Sequence, residues 1–436
     1  MKTAARTLVW HAVPSNERSL LAFLRRAGGQ PRFFWQQDEI SLAGIGIALQ
    51  IHAAGENRFS HVQAQAEEWF RGMHAAPQSD TPPWVHPYLL GGFAFSPEHE
   101  PAGIWEGYPA AWFILPRYTL LRKGNRTWLL AAAISDSPNP EAARELLWEL
   151  PAPQARPHTP PALPAVSEYP RRAEWEAAVT QATQHIRAGR FRKVVLSRRR
   201  RLRVQSPVDP LLALDRLRLR YPNCYRFLFE PRPGHAFFGA TPELLVSARD
   251  GQVRTMALAC SMRRGVTLEE DAELGARLLH SAKDRHEHAL VVEAIRNALA
   301  PLCQQMDIPA APRLHRLSNI QHLLTPIHGR LRRGFTPLDV AAALHPTPAV
   351  GGLPRAAALA YIRQAEGQAR GWYASPIGWL APDGAATFAV ALRCALTTGN
   401  EVHLFAGAGI VADSDPAAEW RETALKFRPV QEALVG

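Results

Sequence analysis

Lysine is scarce in this chain. Of 50 cationic residues in 436, only Lys2, Lys123, Lys193, Lys283 and Lys426 are lysine, so arginine supplies nearly all of the generic positive charge. An ammonium sheds its proton when desolvated and a guanidinium in effect does not, so each retained lysine is a candidate for chemistry. Cysteine is sparse too. Cys224, Cys260, Cys303 and Cys394 are scattered with no CxxC pair, which argues against a disulfide framework or a thiolate zinc site and predicts a reducing, cytoplasmic setting. No run of about 18 apolar residues occurs, so no membrane-spanning helix is expected. The apolar run near Met1 is too short and broken for a signal peptide. GxGxxG after a strand and GxxxxGK[ST] are both missing, which removes support from the dinucleotide and P-loop folds.

What is present is an ordinary globular composition, 47% hydrophobic and 20% charged, with a formal charge of +11 and a pI near 9.9. That charge suits anionic partners: nucleic acid, anionic lipid or a small polyanionic substrate. The runs SLAGIGIALQIHAA, YLLGGFAFS and TWLLAAAIS read as buried strands with glycine-marked turns. A proline-rich stretch, 151–170, reads as a connecting loop between an N-terminal half (1–150) and a region 171–436. In the latter, AEWEAAVTQATQHIRA has the spacing of an amphipathic helix. Strands are expected around Lys193, Phe227, Phe237 and Leu244, and helices over Leu268 to Leu302, near Val340 and from about Ala417. Strands of antiparallel type with interspersed helices predict an α+β fold.

Four stretches could carry chemistry. In SAKDRHEHALVVEAIRNAL, Asp284 and Glu287 share one side of a helix above the apolar stripe Val291, Ile295 and Leu299; they are either a solvated face or the lip of a cavity. The histidines His286 and His288 lack metalloprotease HExxH spacing. In DPAAEWRETALKF, Glu419, Glu422 and Lys426 share a helix face, as an ordinary ion pair or as a site. Upstream, FAGAGIVADS reads as a strand entering a turn, where Gly407 and Gly409 would leave backbone N–H groups open to an anion. One carboxylate from each helix, Glu287 and Glu422, with Asp284 and Glu419 one turn away, is the oxygen-only donor set that suits Mg²⁺.

The third stretch, FRKVVLSRRRRLRV, has seven cations in fourteen residues. As a strand it puts Lys193 on a face with Phe191 and Val195. A desolvated lysine there is a candidate general base, and a lysine snorkelling to water is the other reading. Arg198 to Arg201 read as a solvated strand end. A single-stranded nucleic-acid groove would need interleaved aromatics, and the run itself has none. In the fourth, FFGATPELLVSA, Glu243 follows a turn between two apolar strands, a position that suits a cap or an acid of raised pKa.

With SNIQHLLTPIHG, LHPTPAVGGLP, RGWYASPIGW, VALRCAL and AGAGIVADSDPAAEWRETALK, these blocks resemble the chorismate-utilising enzymes, and among them the isochorismate synthases, from about Ala173 to the C-terminus. The resemblance implies a single large α+β fold with antiparallel sheets packed face to face and helices outside. It implies chorismate as substrate and Mg²⁺ as cofactor. Lys193 would activate water for attack at C2, and Glu243 would protonate the departing C4 hydroxyl. Glu287 and Glu422 would hold Mg²⁺, supported by Asp284 and Glu419. Ser261, His322, Tyr373, Arg393, Gly407, Gly409 and Lys426 would bind substrate. No nucleic acid or membrane is implied, and the enzyme would be a monomer or weak dimer. Cys260 departs from the family's glycine beside the pocket and bears on fit or rate. Ala349 and the DRHEH wording are closer to members that release isochorismate, and menaquinone is expected ahead of a siderophore as its use, though no residue decides the pathway. A salicylate synthase and a non-catalytic chorismate-binding paralogue are the alternatives.

Overall fold

The structure is a computed structural model that describes residues 6–37, 39–75, 80–153, 165–318 and 320–435. Two large sheets, one of 13 strands and one of 10, each take strands from both halves of the chain. In the larger, Arg32–Gln36 pairs with Tyr225–Arg232; in the smaller, Leu89–Phe93 pairs with Pro376–Leu380. Nearly all pairings are antiparallel, as expected.

Period-two alternation explains the layering. In the strand Arg32–Gln36, Phe33 and Trp35 enter the core between the sheets, whereas Phe34 enters a second core beneath the outer helices. Phe227 and Phe229 divide from Leu228 in the same way. Across the sheets Phe33 meets Trp112 edge to face, ring centres 5.8 Å apart. The outer core is closed by Leu20–Leu24, by Pro210–Arg220 and by the C-terminal helix Pro416–Val435. The amphipathic helix runs over Arg172–Arg187, and the helix-rich region is two helices, Leu268–His280 and Ala282–Leu299. Among the described residues no helix is long and apolar enough to cross a membrane.

Three expectations are corrected. The proline-rich stretch is not loop throughout: Ala165–Tyr169 is a strand pairing with the end of Lys193–Arg203, while 154–164 lie outside the described residues. The arginines of Lys193–Arg203 are not a solvated strand end, and they do have aromatic partners, supplied by distant chain. Arg198 is 2% exposed. Its guanidinium lies 3.5 Å from the Trp420 ring centre and donates to Thr423 Oγ1 (2.7 Å), Glu168 Oε2 (2.6 Å) and the Trp420 carbonyl (3.1 Å). Arg200 lies over Phe427, and Arg199 and Arg201 over Tyr169. The strand thereby fastens Ala165–Tyr169 and the C-terminal helix to the sheet. Third, Gly407 and Gly409 are not in a turn. They lie inside the strand Glu401–Ile410, opposite Ser197 and Val195.

Candidate functional site

Each sheet hands the chain to the other at neighbouring points. His235–Thr241 belongs to the larger sheet and Leu244–Arg249 to the smaller, so Pro242 and Glu243 are the crossing. Ala386–Val390 and Cys394–Thr398 make a second crossing at Ala391–Arg393. The crossings are bonded together: Val390 N–H donates to the Glu243 carbonyl (3.0 Å), and Ala240 N–H to that of Arg393 (3.1 Å). Two helices begin nearby. Ala282–Leu299 is capped by Ser281, whose hydroxyl accepts from Asp284 N–H, and Asp415 accepts from Ala418 N–H at the start of the C-terminal helix. Their N-termini favour carboxylates in the first turns.

Between these elements lies a cavity of about 370 Å³. Lys193, Glu243, Ser261, Asp284, Glu287, His322, Tyr373, Arg393, Gly407, Gly409, Glu419, Glu422 and Lys426 all line it, so every residue expected from sequence is brought to one place. Lys193 is buried and donates to Glu287 Oε1 (2.8 Å). Lys426 donates to the Gly407 carbonyl (2.8 Å) and pairs with Glu422 at 2.7 Å. The two glycines act by what they lack. A Cβ on Gly409 would come within 2.9 Å of Lys193 Cε, and one on Gly407 within 3.1 Å of Tyr373 Oη.

Burial dominates the electrostatics. It lifts the Glu243 carboxyl to about 7 against the opposing pull of Arg393, Lys193 and Lys426. Glu419 is also lifted to about 7, by burial and then by the charges of Glu422 and Glu287 among its neighbours. Glu422 is held low by Lys426. Burial and Arg393 bring His322 down to about 3, so its ring is neutral. Its Nδ1 lies 3.0 Å from the Cys260 carbonyl and 3.1 Å from Ser261 Oγ. A carbonyl only accepts, so Nδ1 carries the hydrogen; Nε2 is then an acceptor, buried with no protein partner, on a ring that lines the site.

The carboxylates form an oxygen-only donor set. No group of three or more metal-binding side chains is assembled among the described residues. The charges of Glu422 and Glu287 both act on Glu419, so carboxylates of the two helices gather at one end of the cavity, and oxygen donors of this kind suit a hard divalent ion that keeps several waters better than zinc. His288 has no such part. It is a core residue, its Nε2 2.8 Å from Thr325 Oγ1.

Sequence reading missed Arg370, which lines the cavity and donates to the Val195 carbonyl (2.7 Å). It lies in a stretch already conspicuous, RGWYASPIGW, but the backbone it reaches belongs to segments distant in sequence. Cys260 does not change its backbone to suit a side chain but keeps the left-handed conformation that glycine favours. It has φ 57° and sits at a bulge between Ala259 and Ser261, its thiol donating to the Asp284 carbonyl (3.2 Å). Ala374 and Arg393 also line the cavity with positive φ, 61° and 48°. Backbone strain gathers here.

A family model described as "Chorismate binding enzyme" matches residues 2–435. The chain is 43% identical over 413 residues to a salicylate biosynthesis isochorismate synthase of Pseudomonas aeruginosa, covering 93% of this chain and 85% of that protein. It is 34% identical over 415 residues to isochorismate synthase MenF of Bacillus subtilis, covering 93% and 88%. The fold is similar to that of MenF, the menaquinone-specific isochorismate synthase of Escherichia coli, with a TM-score of 0.84 and 28% identity over 100% of this chain and 95% of that one.

Proposed function

The chain belongs to the chorismate-binding enzyme family, and within it we propose that this protein is an isochorismate synthase, isomerising chorismate to isochorismate with Mg²⁺ bound. One observation carries the reading: a buried lysine and a carboxyl group that keeps its proton to about pH 7 line the same cavity. Those are a base and an acid for adding water at one ring carbon and expelling hydroxyl from another. Lys193 takes a proton from the water whose oxygen bonds to C2. The ring's two double bonds relay the electron pair to C4, the C4–O bond breaks, and Glu243 gives its proton to the departing oxygen. One water enters and one leaves, so no oxidant or reductant is needed.

Arg393 and Lys426 meet the two carboxylates of the substrate, and the neutral His322 offers Nε2 to a hydroxyl. Glu287 and Glu422 would hold Mg²⁺, which when bound neutralises and orients the ring carboxylate. Glu287 is also the ion-pair partner of Lys193, so committing it to a cation releases the lysine for use as a base.

The test is purified protein with chorismate, with and without Mg²⁺, products separated by chromatography. Isochorismate free of pyruvate, only with the metal, is expected. Salicylate with equimolar pyruvate would make it a salicylate synthase, and no metal-dependent product would make it a binding paralogue. The menaquinone assignment is a proposal of its own, supported by likeness to MenF, and is tested by complementing a strain that lacks its menaquinone-route isochorismate synthase.

A further inference from the structure

The strand Lys193–Arg203 has one complete edge and one interrupted edge. Along the complete edge it pairs with Glu401–Ile410 from Val194 to Arg203. Along the other, Lys193 and Val194 pair with Leu353 and Gly352, Val195 N–H donates to the Gly351 carbonyl (2.9 Å), and strand pairing resumes only at Arg199, opposite Tyr169. The interval between is a gap in the sheet next to the candidate base, and buried backbone groups there need partners.

Two side chains fill it. Glu366 Oε1 accepts from Ser197 N–H (2.7 Å), and Arg370 Nη2 donates to the Val195 carbonyl (2.7 Å). Acceptor and donor thus take the places of a neighbouring strand's C=O and N–H. The two are themselves paired, Arg370 Nε to Glu366 Oε2 at 2.8 Å, with side chains 3% and 8% exposed. The fork does more. Arg370 Nη1 donates to the Val350 carbonyl (2.8 Å), and the Arg370 carbonyl accepts from Tyr373 N–H (3.1 Å). Val195, Val350 and Tyr373 all line the cavity, so the guanidinium ties two pieces of its wall together and the backbone of the same residue holds a third.

We propose that Glu366 and Arg370 are a positioning pair for the reaction, standing in for an absent strand to fix the register and tilt of the backbone that presents Lys193. The proposal rests on Lys193 acting as the base. A planar five-donor fork can reach two carbonyls and a carboxylate together, which an ammonium on a flexible stem does not. Buried pairs often add little net stability, and their retention is better explained by the geometry they fix.

The test compares the full chain with Arg370→Lys and with the near-isosteric Glu366→Gln, by amide hydrogen exchange and by steady-state kinetics. Exchange should rise at least about tenfold in the segment 193–199 and stay unchanged in Glu401–Ile410, since the gap is local. The kcat should fall by about 10- to 100-fold, the cost of a base misplaced by an ångström or less, with KM within about threefold. Unchanged exchange in 193–199 would overturn the strand substitution. Raised exchange with unchanged kcat would leave a structural pair only, as would exchange raised throughout the chain. If Arg370→Lys does not fold, Glu366→Gln should show the same signs more weakly, because its amide oxygen still accepts from Ser197. The exchange arm needs no substrate, so a wild-type chain that makes no isochorismate would count against the function and leave the strand substitution judged on its own.

Discussion

A carboxyl group enclosed as Glu243 is, 5% exposed and lifted from the usual 4.5 to about 7, couples stability to function. Between those two pH values the folded chain binds the proton more tightly than the unfolded chain. Stability from this group is therefore full below about pH 4.5, falls as pH rises, and is lost above about pH 7, by about 3 kcal/mol in all. Glu243→Gln is expected to match the wild type in denaturant melts at pH 5, to exceed its stability by up to about 3 kcal/mol at pH 8, and to lose turnover. The same titration, in wild-type enzyme, should make kcat/KM decline above about pH 7; a flat profile to pH 9 would remove Glu243 as the acid. Lys193 makes a second prediction at this scale. Its ammonium stands on Glu287, where the cation is proposed to bind, so the two compete. Lys193→Met should be inactive yet bind Mg²⁺ about fivefold more tightly in calorimetry without substrate, equivalent to about 1 kcal/mol.

At the scale of elements, the Lys193–Arg203 strand is both a presenter of the base and a clamp. Arg198→Ala removes a buried cation and leaves Glu168 with half its partners and Trp420 without its stacked neighbour, a loss of about 3 kcal/mol or more. Arg201, a third exposed and 3.5 Å from Glu401, should cost under about 1 kcal/mol when truncated. Chemical melts of the two variants check the contrast. The bulge at Cys260 allows a similar ordering. Alanine keeps the Cβ in the left-handed region and loses the thiol contact, whereas glycine relieves the strain at an entropic cost of about 0.5–1 kcal/mol. Stability should run Gly at or above Cys, and Cys above Ala. These features also mark where sequence reading stopped. Helix periodicity exposed the faces of Glu287 and Glu422, and the scarcity of lysine pointed to Lys193. The fate of Arg198 depended on Trp420 and Thr423, more than two hundred residues on, and the Glu366–Arg370 stand-in exists only because two strands stop short along one edge. Local pattern carries side-chain facing; it does not carry register.

In the whole molecule, the site lies where the chain passes between two sheets, and that is why thirteen expected residues from eight separated stretches meet there. Each crossing leaves both ladders and frees a turn of backbone at the rim of the core, and the second crossing holds a half-buried arginine, Arg393, in a left-handed conformation. None of this needs the surface charge, which must act on encounter. A net charge of +11 gives a field that attracts a small dianion, and salt screens that field over about 10 Å at 0.1 M. Inside the cavity Lys193, Glu243 and His322 are buried, and screening reaches them weakly. At fixed Mg²⁺, raising KCl from about 20 mM to about 500 mM should therefore raise KM for chorismate several-fold while kcat stays within about twofold. If kcat fell and KM held steady, the charge would matter at the chemical step and the arginine-rich surface would have no part in drawing substrate in.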